Sequence, residues 1–357
     1  MFKFLTFVAV ALIGSSGVAL NAQKSTGPAS GALIVDGGAA GKSIRRRFVE
    51  LAGGSQARIA VFVTGPSALR FGRSDTILNP DWSRDRREWT EYEEYLKDWL
   101  GVDDLRILHT RDRAVANSEA FIQPLKTATG AYFIAGNAGR YADAYLGTRT
   151  QQELKGFLDR GGIIFGSSAG AIIQGSFLVR GNPEKPLLMA PGRTVGFGFL
   201  TNVAINPHVT SAQRDAELVN VIDQYPNVLG IGIEDDAALL VRGDAFEVLG
   251  TGRVAIYDNI RRNGSWFYWL RSGDEFNLAT WNKIDGNVQG DRVVRLELRR
   301  FLIPIAVVVL LIWPPWRIAR KAGYSGLHQV VSCVPIANWL WLALAEWPIQ
   351  RQRKRAA

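Results

Sequence analysis

Residues 161–173 read GGIIFGSSAGAII and combine a strand pattern with a helix pattern across one short turn. The apolar residues 163–165 favour a buried strand, whereas the small and apolar residues from Ala169 onward can begin a helix. Gly166 and Gly170 tolerate the sharp backbone turn that such a change of direction needs. The stretch therefore predicts an α/β fold in which a strand leads directly into a helix.

The same stretch places a serine where a turn of this kind exposes a hydroxyl group. Residues 166–170 match the spacing G-x-S-x-G, in which the central serine stands on a strained turn near a helix N-terminus. This spacing predicts Ser168 as a nucleophile. The alternative is a glycine-rich turn that only allows close packing, and the presence of a partner base decides between the two.

The surrounding sequence alternates between strand-like and helix-like segments. Apolar, β-branched runs occur at residues 32–36, 58–65, 105–110, 131–136, 162–167 and 202–206. Helix-like stretches separate most of them, at residues 42–54, 88–101, 118–128, 150–162 and 212–225. This alternation predicts a mostly parallel sheet with helices on both faces. The short strands after about residue 230 predict antiparallel edge strands. We expect one catalytic domain over residues 31–290.

A nucleophilic serine needs a base, and the chain contains three histidines. His328 lies in an apolar segment near the C-terminus, and His109 follows an early strand ahead of the serine. His208 directly follows the strand at 202–206, which makes it the best candidate base by elimination. Between residues 168 and 208 the one carboxylate is Glu184, which we predict as the orienting acid, the alternative being a solvated loop charge.

If Glu184 has no such role, Asp215 and Glu234 are the next candidates for the acid.

The oxyanion of the reaction would need backbone N–H donors. Ala169 follows the candidate nucleophile, and Gly136 and Asn137 lie at a glycine-rich strand exit, so these three are the predicted donors. The alternative for residues 136 and 137 is an ordinary tight turn.

Charge and cysteine content exclude several function classes. The net charge is +9, but the residues from Arg292 onward contain 11 basic and 2 acidic residues, so the preceding part is balanced. A nucleic-acid partner is therefore not expected. Cys333 is the single cysteine, which excludes an intrachain disulfide framework and any multi-cysteine metal site. We expect no metal and no cofactor, and a homodimer is one candidate assembly.

The two ends of the chain predict targeting and anchoring segments. An early lysine, an apolar run at residues 4–13 and small residues near Ala22 are typical of a secretory signal peptide, which we assign to residues 1–22. The alternative for this segment is an uncleaved membrane anchor or a first core strand. Residues 299–348 contain two apolar runs flanked by arginines and tryptophans, as at membrane interfaces. We predict export, a membrane-associated helical hairpin at 299–348 that contacts lipid, and a basic tail at 349–357. A buried hairpin of core helices is the alternative.

Four motifs carry a resemblance to a known family. They are GSSAGA at 166–171, FIAGNAGR at 133–140, NPHVTSAQRDAEL at 206–218 and GIGIEDDAAL at 230–239. Together they resemble cyanophycinase and its relatives, which include aspartyl dipeptidase. The resemblance implies a serine exopeptidase of a fold related to class I glutamine amidotransferases. It also implies peptide or isopeptide substrates, an acyl-enzyme on Ser168, and Arg140 and Arg214 as substrate-binding residues.

This chain also departs from the family's pattern at several polar positions. Ala138 replaces a glutamine associated with substrate binding, Asn206-Pro207 replaces Asp-Gln, and Ala212 stands where the family shows an arginine. The substrate is therefore left open, with cyanophycin as one candidate among short peptides and isopeptides. An esterase or amidase of the same fold and a noncatalytic, membrane-tethered binding module are the alternative functions.

Overall fold

The computed structural model describes residues 26–72, 76–80 and 85–284, all of which belong to one compact unit assigned to Met1–Arg292. The predicted signal segment 1–22, the predicted hairpin 299–348 and the basic tail 349–357 lie outside the described residues. Among the helices that the structure describes, none is both long enough and apolar enough to cross a membrane. The proposed domain limits of 31 and 290 remain a prediction.

The described chain alternates strands and helices along most of its length. Its strands are β1 Ala32–Asp36, β2 Arg58–Phe62, β3 Leu69–Phe71, β4 Thr76–Leu78, β5 Asp104–Leu108, β6 Gly130–Phe133, β7 Ile163–Ser167, β8 Gly175–Phe177, β9 Leu200–Pro207, β10 Leu229–Ile233, β11 Ala237–Arg242, β12 Ala245–Gly250, β13 Val254–Tyr257, β14 Tyr268–Leu270, β15 Glu275–Asn277 and β16 Asn282–Lys283. Its α-helices are α1 Lys42–Leu51, α2 Arg86–Leu100, α3 Arg113–Ala116, α4 Glu119–Thr127, α5 Ala138–Tyr145, α6 Arg149–Asp159, α7 Ala169–Ile172 and α8 Glu217–Gln224.

The main sheet of the described chain has nine strands in the order β16-β15-β12-β11-β1-β7-β6-β2-β5. Strands β1, β7, β6, β2 and β5 run parallel to one another, and the strands from β11 outward pair antiparallel. The predicted α/β class with antiparallel edge strands is therefore confirmed, although the sheet is mixed rather than mostly parallel. In the parallel half of this sheet, the carboxyl end of β7 leads directly into the turn that carries Ser168.

Both faces of this sheet are covered, which is why its central strands are apolar throughout. Leu33 and Val35 pack into one hydrophobic cluster together with residues of α4, α5 and α6. Ile34, on the opposite face of β1, packs into a second cluster together with residues of α1 and α2. The side chains of a strand alternate between faces, so one short run of apolar residues supplies both cores.

A second sheet carries the candidate base. Its order is β14-β13-β10-β9-β8, and β8, β9 and β10 run parallel. The expectation that the strand at residues 229–233 belongs to an antiparallel edge is wrong on its β9 side, where Ile231 lies opposite Ile205 in a parallel register. Helix α8 connects the two strands, and a helical crossover is the connection that parallel neighbours require. The residues after β9 and after β10 therefore lie side by side.

Candidate active site

Ser168 stands on a strained turn between β7 and α7. Its backbone has φ 54° and ψ −107°, a conformation that residues other than glycine rarely adopt. The amide of Ser168 donates to the carbonyl oxygen of Asp36 at 3.0 Å, which fastens the turn to the neighbouring strand β1. A Cβ atom at Gly166 would come within 2.0 Å of the carbonyl oxygen of Gly170. The glycine spacing is therefore a steric requirement of this turn.

His208 approaches Ser168 from the second sheet. The hydroxyl oxygen of Ser168 and Nε2 of His208 are 2.8 Å apart, a hydrogen-bond distance. His208 follows β9 and has a positive φ of 57°. Its amide donates to the carbonyl oxygen of Gly37 at 3.2 Å. The structure thus brings together the two residues that the sequence singled out as nucleophile and base, one from each sheet.

Asp235 is the carboxylate that meets the other nitrogen of the imidazole. Its Oδ1 lies 2.6 Å from Nδ1 of His208. Burial raises the pKa of Asp235, but hydrogen bonds from Ser211 and His208 outweigh burial, so the pKa lies below its ordinary value. Because an ionised carboxylate only accepts hydrogen bonds, the Nδ1 atom carries a hydrogen, and in the neutral imidazole Nε2 then accepts from the hydroxyl of Ser168.

The orienting contact predicted for Glu184 is therefore made by Asp235, which corrects the sequence prediction. Glu184 is exposed on a loop, where its amide donates to the side chain of Asn182 at 2.9 Å. It lines a cavity of about 400 Å³ together with Arg111, Arg140, Asp143, Ala144 and Pro183. Glu184 lies between the serine and the histidine in sequence, whereas Asp235 lies after the histidine, because the strand beside β9 is β10, which follows it in the chain.

The two substitutes considered for the acid also have other surroundings. Glu234 accepts a hydrogen bond from the hydroxyl of Thr210 at 2.6 Å and pairs with the guanidinium of Arg253 at 2.7 Å. Asp215 is exposed, and its carbonyl oxygen accepts from the hydroxyl of Tyr257. Asp235 belongs to the acidic run Glu234-Asp235-Asp236 directly after β10, but its place beside His208 depends on the parallel pairing of β10 with β9, which no local sequence pattern shows.

Of the three predicted oxyanion donors, the structure leaves two with available amides. The amides of Gly136 and Ala169 make no hydrogen bond to any residue that the structure describes. The amide of Asn137 instead donates to the carbonyl oxygen of Gly65 at 3.0 Å, so it is not available to an oxyanion. The side chain of Asn137 accepts from the amide of Arg140, at the start of α5. The prediction for Asn137 is thus corrected to a helix-capping role.

The two arginines expected to bind substrate lie in different surroundings. Arg214 is partly buried, and its Nη1 donates to the carbonyl oxygen of Pro207 at 3.4 Å, next to the candidate base. Burial and the nearby Arg180 lower the pKa of Arg214. The Nη1 atom of Arg140 donates to the carbonyl oxygen of Gly65 at 3.3 Å, and Arg140 lines the cavity that also contains Glu184. Arg214 is therefore the arginine tied directly to the segment of the base.

The departures noted in the sequence also have defined places. Asn206 is buried; its side chain accepts from Arg180 at 2.7 Å and donates to Glu217 at 3.0 Å. Ala138 is buried in the first turn of α5, whereas Ala212 is exposed after His208.

In the described part of the chain, no group of three or more His, Cys, Asp or Glu residues could hold a metal ion.

Comparison with known proteins relates this geometry to a family. Residues 36–249, more than half of the chain, match the model described as peptidase family S51. A cyanophycinase of Geminocystis herdmanii is 30% identical over 238 residues, which cover 63% of this chain and 80% of that protein. A cyanophycinase of Synechococcus elongatus is 30% identical over 222 residues, which cover 61% of this chain but 64% of that protein, less than two thirds.

A solved structure shares the fold. A peptidase from an acI-B1 actinobacterium superposes with a TM-score of 0.50 at 20% identity, over 70% of this chain and 97% of that one. At this level of identity the likeness concerns the arrangement of strands and helices alone. It agrees with the α/β architecture described above.

Proposed function

Because the chain belongs to peptidase family S51 and is a serine-type peptidase, we propose that it cleaves peptide or isopeptide bonds through an acyl-enzyme on Ser168. The observation that carries the proposal is the continuous hydrogen-bonded chain from Ser168 through His208 to Asp235, with contacts of 2.8 and 2.6 Å. Nucleophile, base and orienting acid are recognised by such geometry rather than by their order in the sequence.

In the first half of the proposed reaction, the hydroxyl oxygen of Ser168 attacks the carbonyl carbon of the scissile bond. Its proton passes to Nε2 of His208, and the resulting imidazolium is stabilised by the carboxylate of Asp235. The carbonyl oxygen becomes an oxyanion that the amides of Gly136 and Ala169 are available to receive. When the C–N bond breaks, the proton on Nε2 moves to the leaving amine.

The second half uses the same groups to release the acyl product. A water molecule gives its proton to Nε2 of His208 and attacks the ester carbon on Ser168. The proton then returns to the oxygen of Ser168 as the C–O bond breaks, which frees a carboxylic acid and restores the site. No step requires a group outside this chain except substrate and water.

The proposed substrates are short peptides or isopeptides, including those with an acidic residue. Arg214 beside the segment of the base supports recognition of a carboxylate, because a guanidinium binds carboxylates well. Cyanophycin is one candidate, since the relatives named above are cyanophycinases. Ala138 and Ala212 offer no side-chain hydrogen bonds, so a charged β-linked side chain would lack partners there.

A mass-spectrometric screen tests the substrate proposal. The wild type and Ser168→Ala are incubated with dipeptides, β-aspartyl dipeptides, cyanophycin and simple acyl esters. Cleavage of a short peptide or isopeptide by the wild type, and not by Ser168→Ala, is the expected result. Turnover of acyl esters alone would instead support an esterase or amidase, and no turnover of any compound would support a binding module.

We also propose that the catalytic part is exported and held at the membrane by the C-terminal segment. The signal-like residues 1–22 and the tryptophan-flanked apolar runs at 299–348 support this placement. Alkaline phosphatase fused after Tyr257 should be active, and green fluorescent protein at the same position should be dark. The reverse pattern would place the catalytic part in the cytoplasm.

A further inference from the structure

The residue before the candidate nucleophile contacts a buried carboxylate that has no part in the mechanism above. Ser167 ends β7, and Asp36 lies directly opposite it at the end of β1. The hydroxyl of Ser167 donates to Oδ2 of Asp36 at 2.6 Å. Both side chains are almost completely shielded from solvent. A buried carboxylate is costly unless its surroundings are built to hold it, so its position beneath Ser168 needs an explanation.

The side chain of Asp36 connects the turn of Ser168 to the loop that follows β1. Its Oδ2 accepts two further hydrogen bonds, from the amides of Gly38 at 3.0 Å and Ala40 at 3.2 Å. Its Oδ1 has no hydrogen-bond partner among the described residues. One carboxylate oxygen therefore fixes both the strand end before Ser168 and the backbone of residues 38–40.

This loop forms the surface against which the base packs. A Cβ atom placed on Gly38 would lie 2.0 Å from Cε1 of His208 and 2.6 Å from its Nδ1. The carbonyl oxygen of Gly37 also accepts the amide of His208. Asp36 thus holds, through separate hydrogen bonds, the segment of the nucleophile and the segment that supports the imidazole.

We propose that Asp36 is a positioning residue of the site, whose carboxylate sets the distance between Ser168 and His208 and favours the imidazolium formed during the reaction. The inference rests on the proposed function, because it assigns a role relative to that pair. An ionised carboxylate near the ring stabilises positive charge on the ring, as Asp235 does by direct contact.

The charge state of Asp36 makes this role dependent on pH. Burial raises the pKa of Asp36 to about 6, against the opposing effects of the hydrogen bonds from Ser167, Gly38 and Ala40 and of the nearby His208. The carboxylate is therefore mainly ionised at neutral pH and becomes neutral in mild acid. The charged and titratable groups that face it or its loop are His208, Tyr132 on β6, Arg45 on α1 and Asp236 before β11.

The test measures the second-order rate constant for reaction of the full chain with a fluorophosphonate, which needs no knowledge of the substrate. The rate constants of the wild type and Asp36→Asn are compared between about pH 4.5 and 8, a range that brackets the pKa of Asp36. Asparagine can still accept at one oxygen but carries no charge. At pH 7.5 we expect Asp36→Asn to react about tenfold more slowly, with a deficit that shrinks below about pH 5, where Asp36 of the wild type is neutral too.

The matched control is Asp258→Asn, a buried aspartate paired with Arg262 after β13. This variant should melt at a lower temperature while keeping the wild-type rate profile. The proposal is overturned if Asp36→Asn reacts like the wild type at every pH, or if its deficit does not change with pH. Absence of labelling at Ser168 in the wild type would instead refute the proposed function.

Ser167→Ala keeps the proposal testable if Asp36→Asn does not fold. Loss of the Ser167 hydroxyl removes a hydrogen bond that lowers the pKa of Asp36. The fall in rate on acidification should therefore begin at a higher pH than in the wild type. An unchanged profile in Ser167→Ala would contradict the proposed link between Asp36 and the site.

Discussion

The Nδ1 atom of His208 lies 2.6 Å from Oδ1 of Asp235, although the two residues are 27 positions apart. They meet because each follows the carboxyl end of one of two neighbouring parallel strands, β9 and β10. Ser168 reaches the same place from a different sheet, through a turn fastened to β1. The proposed site is therefore built where the ends of two sheets meet.

Replacing Asp235 tests its assignment as the orienting acid. Asp235→Asn removes the acceptor that keeps hydrogen on Nδ1 of His208, so peptide turnover should fall about 10²- to 10⁴-fold. Glu184→Gln is the control, because the Glu184 side chain lies on an exposed loop, and its turnover should stay within about twofold of the wild type. Wild-type turnover in Asp235→Asn, with a large loss in Glu184→Gln, would reverse the assignment. Steady-state kinetics on the best substrate of the panel measures both.

A methyl group at position 38 should disable the site without unfolding the protein. The added Cβ of Gly38→Ala would overlap the imidazole of His208, which must then move away from Ser168. We expect fluorophosphonate labelling to fall at least about a hundredfold, as for small displacements of a catalytic group. Gly243→Ala is the control, because it also has a positive φ but open space around its Cβ. Equal labelling of the two variants would show that the contact at Gly38 is unimportant.

The backbone strain at Ser168 predicts a stability difference between two inactive variants. Glycine adopts a φ of 54° without strain, so Ser168→Gly removes the strain, whereas Ser168→Ala keeps it. Backbone strain of this kind costs about 1–3 kcal/mol, and the greater entropy of glycine in the unfolded chain offsets about 0.4–1 kcal/mol of it. The free energy of unfolding of Ser168→Gly should therefore exceed that of Ser168→Ala by roughly 1 kcal/mol net. Urea unfolding of the purified proteins measures the difference. A less stable Ser168→Gly would mean that the turn is not strained.

Asp36 predicts a pH-dependent term in stability. Its pKa in the folded chain is about 6, above its ordinary value, so the folded state binds more protons than the unfolded state between these values. Stability from this group is fully present below about pH 4 and is lost as pH rises through about 6, a change of up to roughly 3 kcal/mol. Relative to Asp36→Asn, the wild type should thus lose stability from pH 4.5 to 7 in urea unfolding. A difference that is constant over this range would contradict the raised pKa.

The main sheet could be predicted because its strands are buried on both faces. Short, continuous apolar runs, such as residues 58–65 and 162–167, are typical of strands that are buried on both faces. Helices with one apolar face follow most of these runs. Ser168 and His208 could be paired because each directly follows a strand. The glycines around Ser168 marked the turn, and the structure shows why a side chain does not fit at Gly166.

The identity of the acid and the unavailability of the Asn137 amide could not be predicted, because both depend on contacts between residues that are distant in sequence. The sequence of the strand at residues 229–233 does not reveal whether the neighbouring strand is parallel or antiparallel. The local sequence therefore does not indicate that Asp235 lies beside His208. The amide of Asn137 is occupied by the carbonyl of Gly65, a contact that depends on how the exits of β2 and β6 pack. Strand order in space, rather than local pattern, decides both cases.

The residue that a fluorophosphonate modifies tests the proposed acyl-enzyme on Ser168. The full chain is treated with a fluorophosphonate and digested, and the modified peptide is sequenced by mass spectrometry, with Ser168→Ala and Ser167→Ala measured in parallel. We expect modification of Ser168 in the wild type and in Ser167→Ala, and none in Ser168→Ala. Labelling that persists in Ser168→Ala, or that lies on Ser167, would contradict the proposed acyl-enzyme.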